Sequence, residues 1–424
     1  MRNDRGEMFY TQSAISLPAV SPCRRIAVSP FHRAAVSTWW FFLAACLLLS
    51  GCSERSQNME QSGPAKIAIV VPHTGPLMEE GQMLRFGALM ASQEAESRVA
   101  DLGLEVAVYD SPCDPEEGVV TAKRLTTDVT ISAVIGYLCA ETLGAVLPLY
   151  QEAGLALINP TVSAEYVRQG ETSNLFSLLY SDGDQAAFLA AYAKEGLGLD
   201  RVAILRDDSA YGSVLSTSFE AEAIRLDLEV VANVAINPDQ AGAAQAVKSL
   251  KGASPEGVFL AASPKAASLF LFERQRQHLG GVVLGPDQLA DLDFYEMAGQ
   301  AAEGLLVCQP ILFDKENQKK SRFVRRFEKL YKRRPDWIAA AGYDAMQLAL
   351  EVLNSSGPGR RSFLQSLRKI SEPDTAFEGL SGPIFFKDDG TSRRHFFVGA
   401  VQNGTLRAAK PATVKFPVAR STKK

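Results

Sequence analysis

The chain has 424 residues, of which 46% are hydrophobic and 22% are charged, and its formal net charge at pH 7 is −4. This length accommodates two or three domains, and the composition is typical of a globular protein, which excludes a largely disordered chain. The slightly acidic balance argues against a nucleic-acid-binding protein, which needs a basic surface.

The first 51 residues have the pattern of an export signal. Five arginines precede the apolar run Trp39–Leu49, which is too short to span a bilayer as a finished helix. The run ends in Leu49-Ser50-Gly51-Cys52, which resembles the bacterial lipobox, and the resemblance implies that Cys52 becomes the lipidated first residue. We therefore predict a signal peptide at 1–51 and a polar tether at 52–65. An uncleaved N-terminal anchor is the alternative.

From Lys66 onward, continuous apolar runs alternate with helical patterns. This alternation is typical of parallel sheets that are covered by helices on both faces. Two such series of about 120 residues predict two doubly wound α/β lobes. The predicted strands of the two series are Ile67–Val71, Leu104–Tyr109, Ile131–Ile135, Leu155–Ile158, Val202–Leu205, Glu229–Ala235, Gly257–Ala261 and Val282–Leu284. The predicted helices are Gly81–Ala95, Glu117–Thr127, Thr142–Ala153, Gln185–Glu195, Gly212–Ile224, Ala241–Leu250 and Lys265–His278.

The C-terminal part reverses the order, because two helices come before two strands. The helices are predicted at Lys320–Lys332 and Trp337–Leu353, and the strands at Pro383–Phe386 and Phe396–Val401. A turn signal at Lys387-Asp388-Asp389-Gly390 separates these strands. Such an ending allows the chain to return to both lobes in turn.

Three cysteines remain after Cys52. Cys113 and Cys139 each follow a predicted strand, so they can meet if those strands are neighbours, and in an exported protein such a pair is oxidised. Cys308 lies in an apolar run and is interpreted as a buried strand residue.

Sequence signatures of enzymes are absent. The chain contains no phosphate-binding loop, no dinucleotide fingerprint and no nucleophile elbow, and its few histidines have no metal-ligand spacing. We therefore predict no catalytic residue, no metal and no cofactor. A hydrolase on a doubly wound scaffold stays as a minor alternative, although no motif nominates its nucleophile.

The segment from Lys315 to Arg334 is strongly basic. Its apolar residues Phe323, Phe327, Leu330 and Tyr331 fall on one helical face, which favours a packed helix with a solvated outer face. Contact with anionic lipid or with a partner protein is the second interpretation.

An ordered set of short motifs is similar to the leucine/isoleucine/valine-binding proteins, type I periplasmic binding proteins that supply branched-chain amino acid ABC transporters. The similarity covers Lys66 to about Gly404. The motifs are Lys66-Ile67-Ala68-Ile69-Val70 before Gly75-Pro76, Asp110 with Cys113-Asp114-Pro115, Ile135-Gly136 with Leu138-Cys139, Asn159-Pro160, Asp184-Gln185, Tyr211-Gly212, Gly285-Pro286, Glu303-Gly304-Leu305-Leu306-Val307 and Gly379 with Gly382-Pro383.

This resemblance implies two Rossmann-like lobes with three interlobe crossings and a ligand cleft at the carboxyl ends of the strands. The crossings are expected near 181–183, 310–313 and 379–382. The expected domains are 66–182 with 311–378 for lobe 1, 183–310 with 379–408 for lobe 2, and 409–424 for a C-terminal tail.

The resemblance also implies roles for individual residues. The segment after Cys139, with Ala140, and the hydroxyl of Ser163 would receive a ligand carboxylate. The carbonyl of Thr161 and the carboxylate of Asp287 would receive an ammonium group. Tyr211 and Tyr343 would close over the ligand side chain.

Two positions depart from the family pattern. Ala140 and Ser263 stand where the family commonly has Ser and Tyr, so hydroxyl groups are missing. Thr142 could replace the first hydroxyl only if the helix began later. We therefore expect an amino acid or a related small amide, and leucine itself is disfavoured.

The resulting functional prediction is a lipid-anchored solute-binding protein of an ABC importer, exposed to the periplasm or the cell exterior. Its expected partners are a small-molecule ligand, the permease subunits and, through the lipid, the membrane. The alternative is a non-transporting sensor or regulatory lipoprotein with the same fold.

Overall fold

A computed structural model of the chain describes residues 65–95, 103–163, 167, 174–313, 317–411 and 413–415. The predicted signal peptide, Cys52 and nearly all of the tether lie outside these residues, as does most of the predicted C-terminal tail. In the described part of the chain, no helix is both long and apolar enough to cross a membrane.

The first sheet contains five parallel strands in the order β2-β1-β3-β4-β5. Strands β1 and β3 are almost entirely buried, as expected for a sheet with helices on both faces. The strands are β1 (Lys66–Val71), β2 (Glu105–Asp110), β3 (Ile131–Gly136), β4 (Ala156–Asn159) and β5 (Leu175–Ser177). The helices between them are α1 (Met78–Ala95), α2 (Pro115–Thr127) and α3 (Ala140–Glu152).

The second sheet has seven strands in the order β15-β14-β10-β9-β8-β6-β7. Its first five strands along the chain run parallel, β14 pairs antiparallel with β10, and β15 pairs antiparallel with β14. The strands are β6 (Arg201–Arg206), β7 (Glu229–Ala235), β8 (Gly257–Ala261), β9 (Val282–Gly285), β10 (Leu306–Gln309), β14 (Phe397–Gln402) and β15 (Thr405–Ala408). The helices of this lobe are α4 (Asp182–Ala191, extended by a π-helical turn at Tyr192–Gly196), α5 (Ala210–Arg225), α6 (Gln240–Ala253), α7 (Pro264–Arg276) and α8 (Leu292–Ala298).

The remaining elements return to the first lobe. They are α9 (Gln318–Tyr331), α10 (Trp337–Ser356), α11 (Arg360–Arg368) and the small antiparallel sheet of β11 (Phe377–Gly379), β12 (Gly382–Phe386) and β13 (Ser392–Arg393). Side chains of α10 and α11 share one buried apolar cluster with β1, β3 and β4. The two predicted lobes and the three crossings between them are therefore confirmed.

The last crossing lies later than expected. Ile384 and Phe386 of β12 are buried in the apolar cluster of the first sheet, and the chain reaches the second sheet only at β14. We therefore propose that residues up to Arg393 belong to lobe 1, in place of a boundary at 378–379. The predicted hairpin between 387 and 390 connects β12 to β13, and β14 pairs with β10 and β15 instead.

Glycines bring α1 and α10 into close contact. A Cβ atom on Gly87 would lie 1.9 Å from the carbonyl oxygen of Ala339, and one on Gly342 would lie 2.3 Å from that of Leu84. Side chains at these two positions would force the helices apart. This tight packing attaches α10, and with it the start of the helix at Trp337, to the first lobe.

The basic segment forms α9, whose Phe323 and Phe327 are buried as predicted. Tyr331 stacks on Phe86 of α1, with ring centroids 4.1 Å apart. Leu330 was expected on the same face, but its side chain is 44% exposed. The exposed face of α9 carries basic residues, including Arg322, Arg325 and Lys329.

Candidate ligand-binding cleft

A cavity of about 230 Å³ lies at the carboxyl ends of the strands, where both lobes meet. Its position agrees with the rule that open α/β sheets bind ligands beyond the carboxyl ends of their strands. The lining residues come from the loops after β3, β4, β5 and β9 and from the start of α10. They are Leu138, Ala140, Thr161, Val162, Ser163, Leu179, Asp182, Asp287, Gln288, Asp291 and Trp337.

The loop after β3 forms the first wall and has an unusual backbone. Gly136 has φ +145°, and a Cβ there would lie 2.0 Å from the carbonyl oxygen of Val70, so only glycine fits. Tyr137 follows in the left-handed region with φ +61°. Its buried hydroxyl is hydrogen-bonded to that of Tyr150 at 2.7 Å, which holds the strained residue in place.

A disulfide joins this wall to the loop after β2. Cys113 and Cys139 are bonded, with their Cα atoms 5.5 Å apart, because β2 and β3 both flank β1 and end at the same edge. The predicted pairing is therefore confirmed. Cys139 is also the N-cap residue of α3 and makes no side-chain cap, so the backbone N–H groups of the first turn are left for another acceptor.

Asn159 connects the first wall to the loop after β4. Its amide donates to the carbonyl oxygens of Gly136 and Tyr137 at 2.7 and 2.8 Å. Its own oxygen accepts from the backbone N–H groups of Thr161 and Val162 at 3.1 and 2.7 Å. The Asn159 side chain is fully buried, so all four bonds are protected from water. This residue fixes the two loops that carry the polar groups of the wall.

Two residues of the cavity lining, Thr161 and Ser163, carry buried hydroxyl groups. Ser163 is 5% exposed and lines the cavity. Neither its Oγ nor the buried Oγ1 of Thr161 has a hydrogen-bond partner in the described part of the chain. Buried polar atoms are normally paired, so these two hydroxyls indicate a missing hydrogen-bonding partner in the cavity.

The second wall is acidic. Asp287 and Asp291 follow β9, and Asp182 enters from the first turn of α4. Gln185 links two of them, because its amide donates to Asp182 at 2.9 Å and its oxygen accepts from the backbone N–H of Asp287 at 3.1 Å. The indole of Trp337 makes a side-chain hydrogen bond to Asp291.

The cleft raises the pKa of both carboxyl groups after β9 to about 6. For Asp287 the largest cause is burial, which hydrogen bonds from Tyr180 and Gln185 only partly offset. For Asp291 the largest cause is also restricted access of water, and neighbouring carboxylates add to it, although its side chain is exposed to the open cleft. Asp287 therefore lacks, among the described residues, a cationic partner that would offset its desolvation, whereas Asp291 is open to cleft water.

The structure brings together four of the eight predicted ligand-binding residues, namely Ala140, Thr161, Ser163 and Asp287. Thr142 does not line the cavity, because α3 begins at Ala140 and the buried Thr142 side chain lies against Gly118 of α2. Tyr211 and Ser263 follow β6 and β8 at the same edge of the second sheet but do not line the cavity. Ser263 instead donates its backbone N–H to Asp207 at 2.7 Å.

The position of Tyr343 differs most from its expected role. Its hydroxyl donates to Glu94 of α1 at 2.6 Å, and its ring packs edge-on against Phe323. These contacts place Tyr343 in the α1/α9/α10 packing and not in the cavity lining. The aromatic residue of α10 that lines the cavity is Trp337, at the start of the helix.

Sequence reasoning missed seven lining residues, of which Asp182, Gln288, Asp291 and Trp337 carry polar or aromatic side chains. A signal existed for Asp182, since it is three residues before Gln185 and positions i and i+3 meet on one face of a helix. For Asp291 and Trp337 no local signal existed, because 46 residues separate them in the sequence.

The comparison with known protein families gives one broad match. The profile of the family described as "Periplasmic binding protein" matches residues 64–405. Among curated proteins, the leucine-, isoleucine-, valine-, threonine- and alanine-binding protein of Pseudomonas aeruginosa is 25% identical over 281 residues, which are 66% of this chain and 74% of that protein.

Solved structures with the same fold hold different ligands. A branched-chain amino acid transporter substrate-binding protein of Streptococcus pneumoniae, in complex with isoleucine, has a TM-score of 0.67 and 21% identity and covers 82% of this chain and 99% of its own. A solute-binding protein of R. palustris, in complex with benzoate, has a TM-score of 0.63 and 21% identity, with 82% and 96% covered. At this level of identity the similarity establishes the fold alone.

Proposed function

The chain belongs to the periplasmic binding protein family, and from this membership we propose that it is the extracytoplasmic solute-binding component of an ABC importer. Its ligand is an amino acid or a related small amide, which binds in the cavity between the lobes and is delivered to a permease. The observation that carries this proposal is the pairing of unpartnered hydroxyls at Thr161 and Ser163 with a carboxylate at Asp287 across one cavity.

The two walls match the two ends of an α-amino acid. A ligand carboxylate would accept hydrogen bonds from the first turn of α3 and from the Ser163 hydroxyl, in the favourable field of the helix N-terminus. A ligand ammonium would donate to the Thr161 carbonyl and to Asp287, and would supply the positive charge that this carboxylate lacks. The carboxylate contact is made by the first lobe and the Asp287 contact by the second lobe. A ligand that makes both contacts therefore links the two lobes.

Ligand binding favours the closed arrangement of the lobes because the carboxylate and the ammonium contact opposite walls. Closure of this kind is a hinge motion around the crossing segments. Tyr211 and Ser263 lie at the cleft edge of the second sheet, so we propose that closure brings them to the ligand. The closed form is then the state that a permease recognises.

The hinge itself is held by Arg394. Arg394 is 5% exposed, and its guanidinium donates to the carbonyl oxygens of Leu178 and Pro310 at 2.7 and 3.0 Å. These acceptors belong to the first and second crossings, and Arg394 lies in the third. One buried side chain therefore ties the three crossings together, so that the lobes can rotate about a fixed axis.

The experiment that tests this function is a calorimetric screen of the exported form, beginning at Cys52, against the common amino acids and small amides. We expect at least one to bind with a dissociation constant in the micromolar range or below. Failure of all of them to bind to a correctly folded protein would contradict the proposal.

We propose further that Cys52 carries the lipid that holds the protein to a membrane, since the preceding residues resemble a lipobox and several acyl chains give stable anchoring. Replacement of Cys52 by Ser should move the protein from the membrane fraction to the soluble fraction of its host. Unchanged fractionation would contradict this part of the proposal.

A sensor or regulatory lipoprotein with the same fold is the second candidate function. The observation that favours it is the exposed basic face of α9, which suits contact with an acidic partner or lipid. Uptake of the bound solute by cells that carry or lack the protein separates the candidates, because only an importer component should change the uptake rate.

A further inference from the structure

The outer side of α9 carries a row of positive charges that the binding cavity does not use. Arg322, Arg325 and Lys329 recur at intervals of three and four residues, so they lie on one side of the helix, and all three are exposed. We call these three residues the α9 basic face. Lys332 and Arg334 continue the exposed positive charge beyond the end of the helix. A surface with charge of one sign attracts a surface of the opposite sign.

The acidic residues around α9 do not neutralise this face. Arg326 pairs with Glu94 at 2.9 Å, and Arg333 pairs with Glu79, so the nearby carboxylates of α1 have cationic partners elsewhere. Glu328 is the one acidic residue within α9. Among the described residues, no ion pair includes a member of the α9 basic face. Three positive charges therefore face solvent without a partner from this part of the chain.

The two ends of the chain do not have the charge to cover the α9 basic face. The segment 416–424 contains one arginine and two lysines and no acidic residue. The segment 53–64 contains two glutamates and one arginine, so its net charge is close to zero. Electrostatic complementarity therefore calls for an anionic surface outside the chain.

The tether joins the first lobe at a place from which the α9 basic face can meet a membrane. Strand β1 begins at Lys66, and α1 runs back from the carboxyl edge of the sheet to the edge where β1 begins. Arg326 of α9 pairs with Glu94 in the last turn of α1, so α9 extends toward this edge. Cys52 precedes Lys66 by 14 residues, which span at most about 50 Å. A bilayer that held Cys52 would therefore lie within reach of α9.

We propose that the α9 basic face docks on the anionic headgroups of the membrane to which the protein is tethered. Stable attachment to a membrane takes two signals, and a basic helix face is a recognised second signal beside a lipid. Leu330 is 44% exposed next to Lys329, and an apolar side chain among cations suits the boundary between headgroups and acyl chains better than a purely acidic protein surface.

This inference goes beyond the proposed solute-binding function and applies equally to an importer component and to a sensor. None of the three residues of the α9 basic face lines the cavity, so docking leaves the ligand site open.

The test uses the exported form with Cys52→Ser, so that no lipid contributes to binding. Its sedimentation is compared with vesicles of phosphatidylcholine alone and with vesicles that contain about one third phosphatidylglycerol. We expect at least tenfold tighter binding to the anionic vesicles, and loss of this binding near 1 M salt, where the screening length falls to about 3 Å. Replacement of Arg322, Arg325 and Lys329 together by Gln should weaken the binding at least tenfold.

The matched control replaces Lys248, Lys251 and Lys265 together by Gln. These lysines are exposed on α6 and at the start of α7 in the second lobe, and the change in net charge is the same. The control should bind anionic vesicles like the Cys52→Ser protein, and both triple variants should keep their solute affinity.

Three results would overturn the inference: no binding to anionic vesicles, equal binding to both kinds of vesicle, or an equal loss of binding in the two triple variants. Each of them leaves the proposed solute binding intact. Conversely, failure of the calorimetric screen would leave vesicle binding intact, so the two proposals fail separately.

Discussion

The two walls of the cavity both follow the carboxyl ends of parallel strands, yet their side chains differ in charge and in hydrogen bonding. The first wall is neutral and rigid, because a disulfide and the four hydrogen bonds of Asn159 fix its backbone donors and hydroxyls. The second wall is acidic, and burial raises the pKa of Asp287 there to about 6. The first wall therefore contributes stability, whereas the desolvated carboxyl group of Asp287 in the second wall reduces it.

Replacement of Asn159 by Ala, which disrupts the first wall, should have the largest effect on stability and on ligand affinity. It leaves two buried carbonyl groups and two N–H groups without partners, so we expect a loss of about 3 to 5 kcal/mol in the free energy of unfolding. The ligand should also bind at least tenfold more weakly, since Thr161 and the loop after β3 lose their common support. Urea unfolding and calorimetry measure the two quantities.

Asn174→Ala is the control for that variant. Asn174 is also a buried amide, and it donates to the carbonyls of Tyr150 and Leu155 at 3.3 Å, but it does not line the cavity. It should lose stability and keep its ligand affinity. If both variants kept wild-type affinity, Asn159 would be a core residue only and not a support of the binding wall.

Removal of the disulfide should have the next largest effect. Cys113 and Cys139 are 26 residues apart, and in the chain-entropy model a loop of this length is worth about 3 to 4 kcal/mol. The double replacement Cys113→Ser and Cys139→Ser should therefore lower the free energy of unfolding by that amount. A reducing agent should destabilise the wild type but leave the stability of the double variant unchanged. An equal loss of stability in both proteins would show that the Cys113–Cys139 disulfide is not the cause.

Replacement of Asp287 by Asn tests the second wall. We expect the affinity for an α-amino ligand to fall by one to two decades, since a hydrogen bond between charged groups contributes about 1.5 to 3 kcal/mol. Thermal stability at pH 7 should stay the same or rise slightly, because a desolvated charge is removed. Calorimetry measures the affinity and thermal unfolding measures the stability of Asp287→Asn. Asp200→Asn is the control, because the Asp200 side chain is 77% exposed and does not line the cavity. An unchanged affinity in Asp287→Asn would disprove the ammonium site.

The same contrast governs what the sequence could predict. Continuous apolar runs such as Ile67–Val71 identified the strands of both parallel sheets, because burial on both faces leaves a strong local pattern. The three-residue strand Leu175–Ser177 and helix α11 were not predicted, since the strand is too short for a pattern and six of the nine residues of the helix are charged or polar. The resemblance to the family then supplied the first wall almost completely.

The second wall was harder to predict because its composition depends on tertiary contacts. Asp287 was predicted and lines the cavity, but Asp291 meets Trp337 only after the chain has crossed between the lobes twice. Tyr343 was predicted to close over the ligand but does not line the cavity, because the close packing at Gly87 and Gly342 brings its hydroxyl to Glu94 of α1. Sequence periodicity can identify a buried face but not which neighbour covers it.

The smallest expected effect is the pH dependence of stability in the ligand-free protein. Folding raises the pKa of both Asp287 and Asp291 from an ordinary value of 3.8 to about 6. Between these values the folded state binds more protons than the unfolded state, so these two groups lower stability as the pH rises through this window, and the loss is complete above pH 6. Carboxylates around Asp291, namely Asp293, Asp336 and Glu80, act in the same direction.

Thermal unfolding at pH 5, 6 and 7 should therefore show a steeper fall for the wild type than for a variant with both Asp287→Asn and Asp291→Asn. The difference is modest because cleft water screens the exposed Asp291. A cationic ligand should flatten the wild-type curve, since its charge lowers both pKa values toward normal. If thermal stability fell equally with pH in the wild type and the double variant, the acidic wall would be fully solvated. The two walls would then not differ in their contribution to stability.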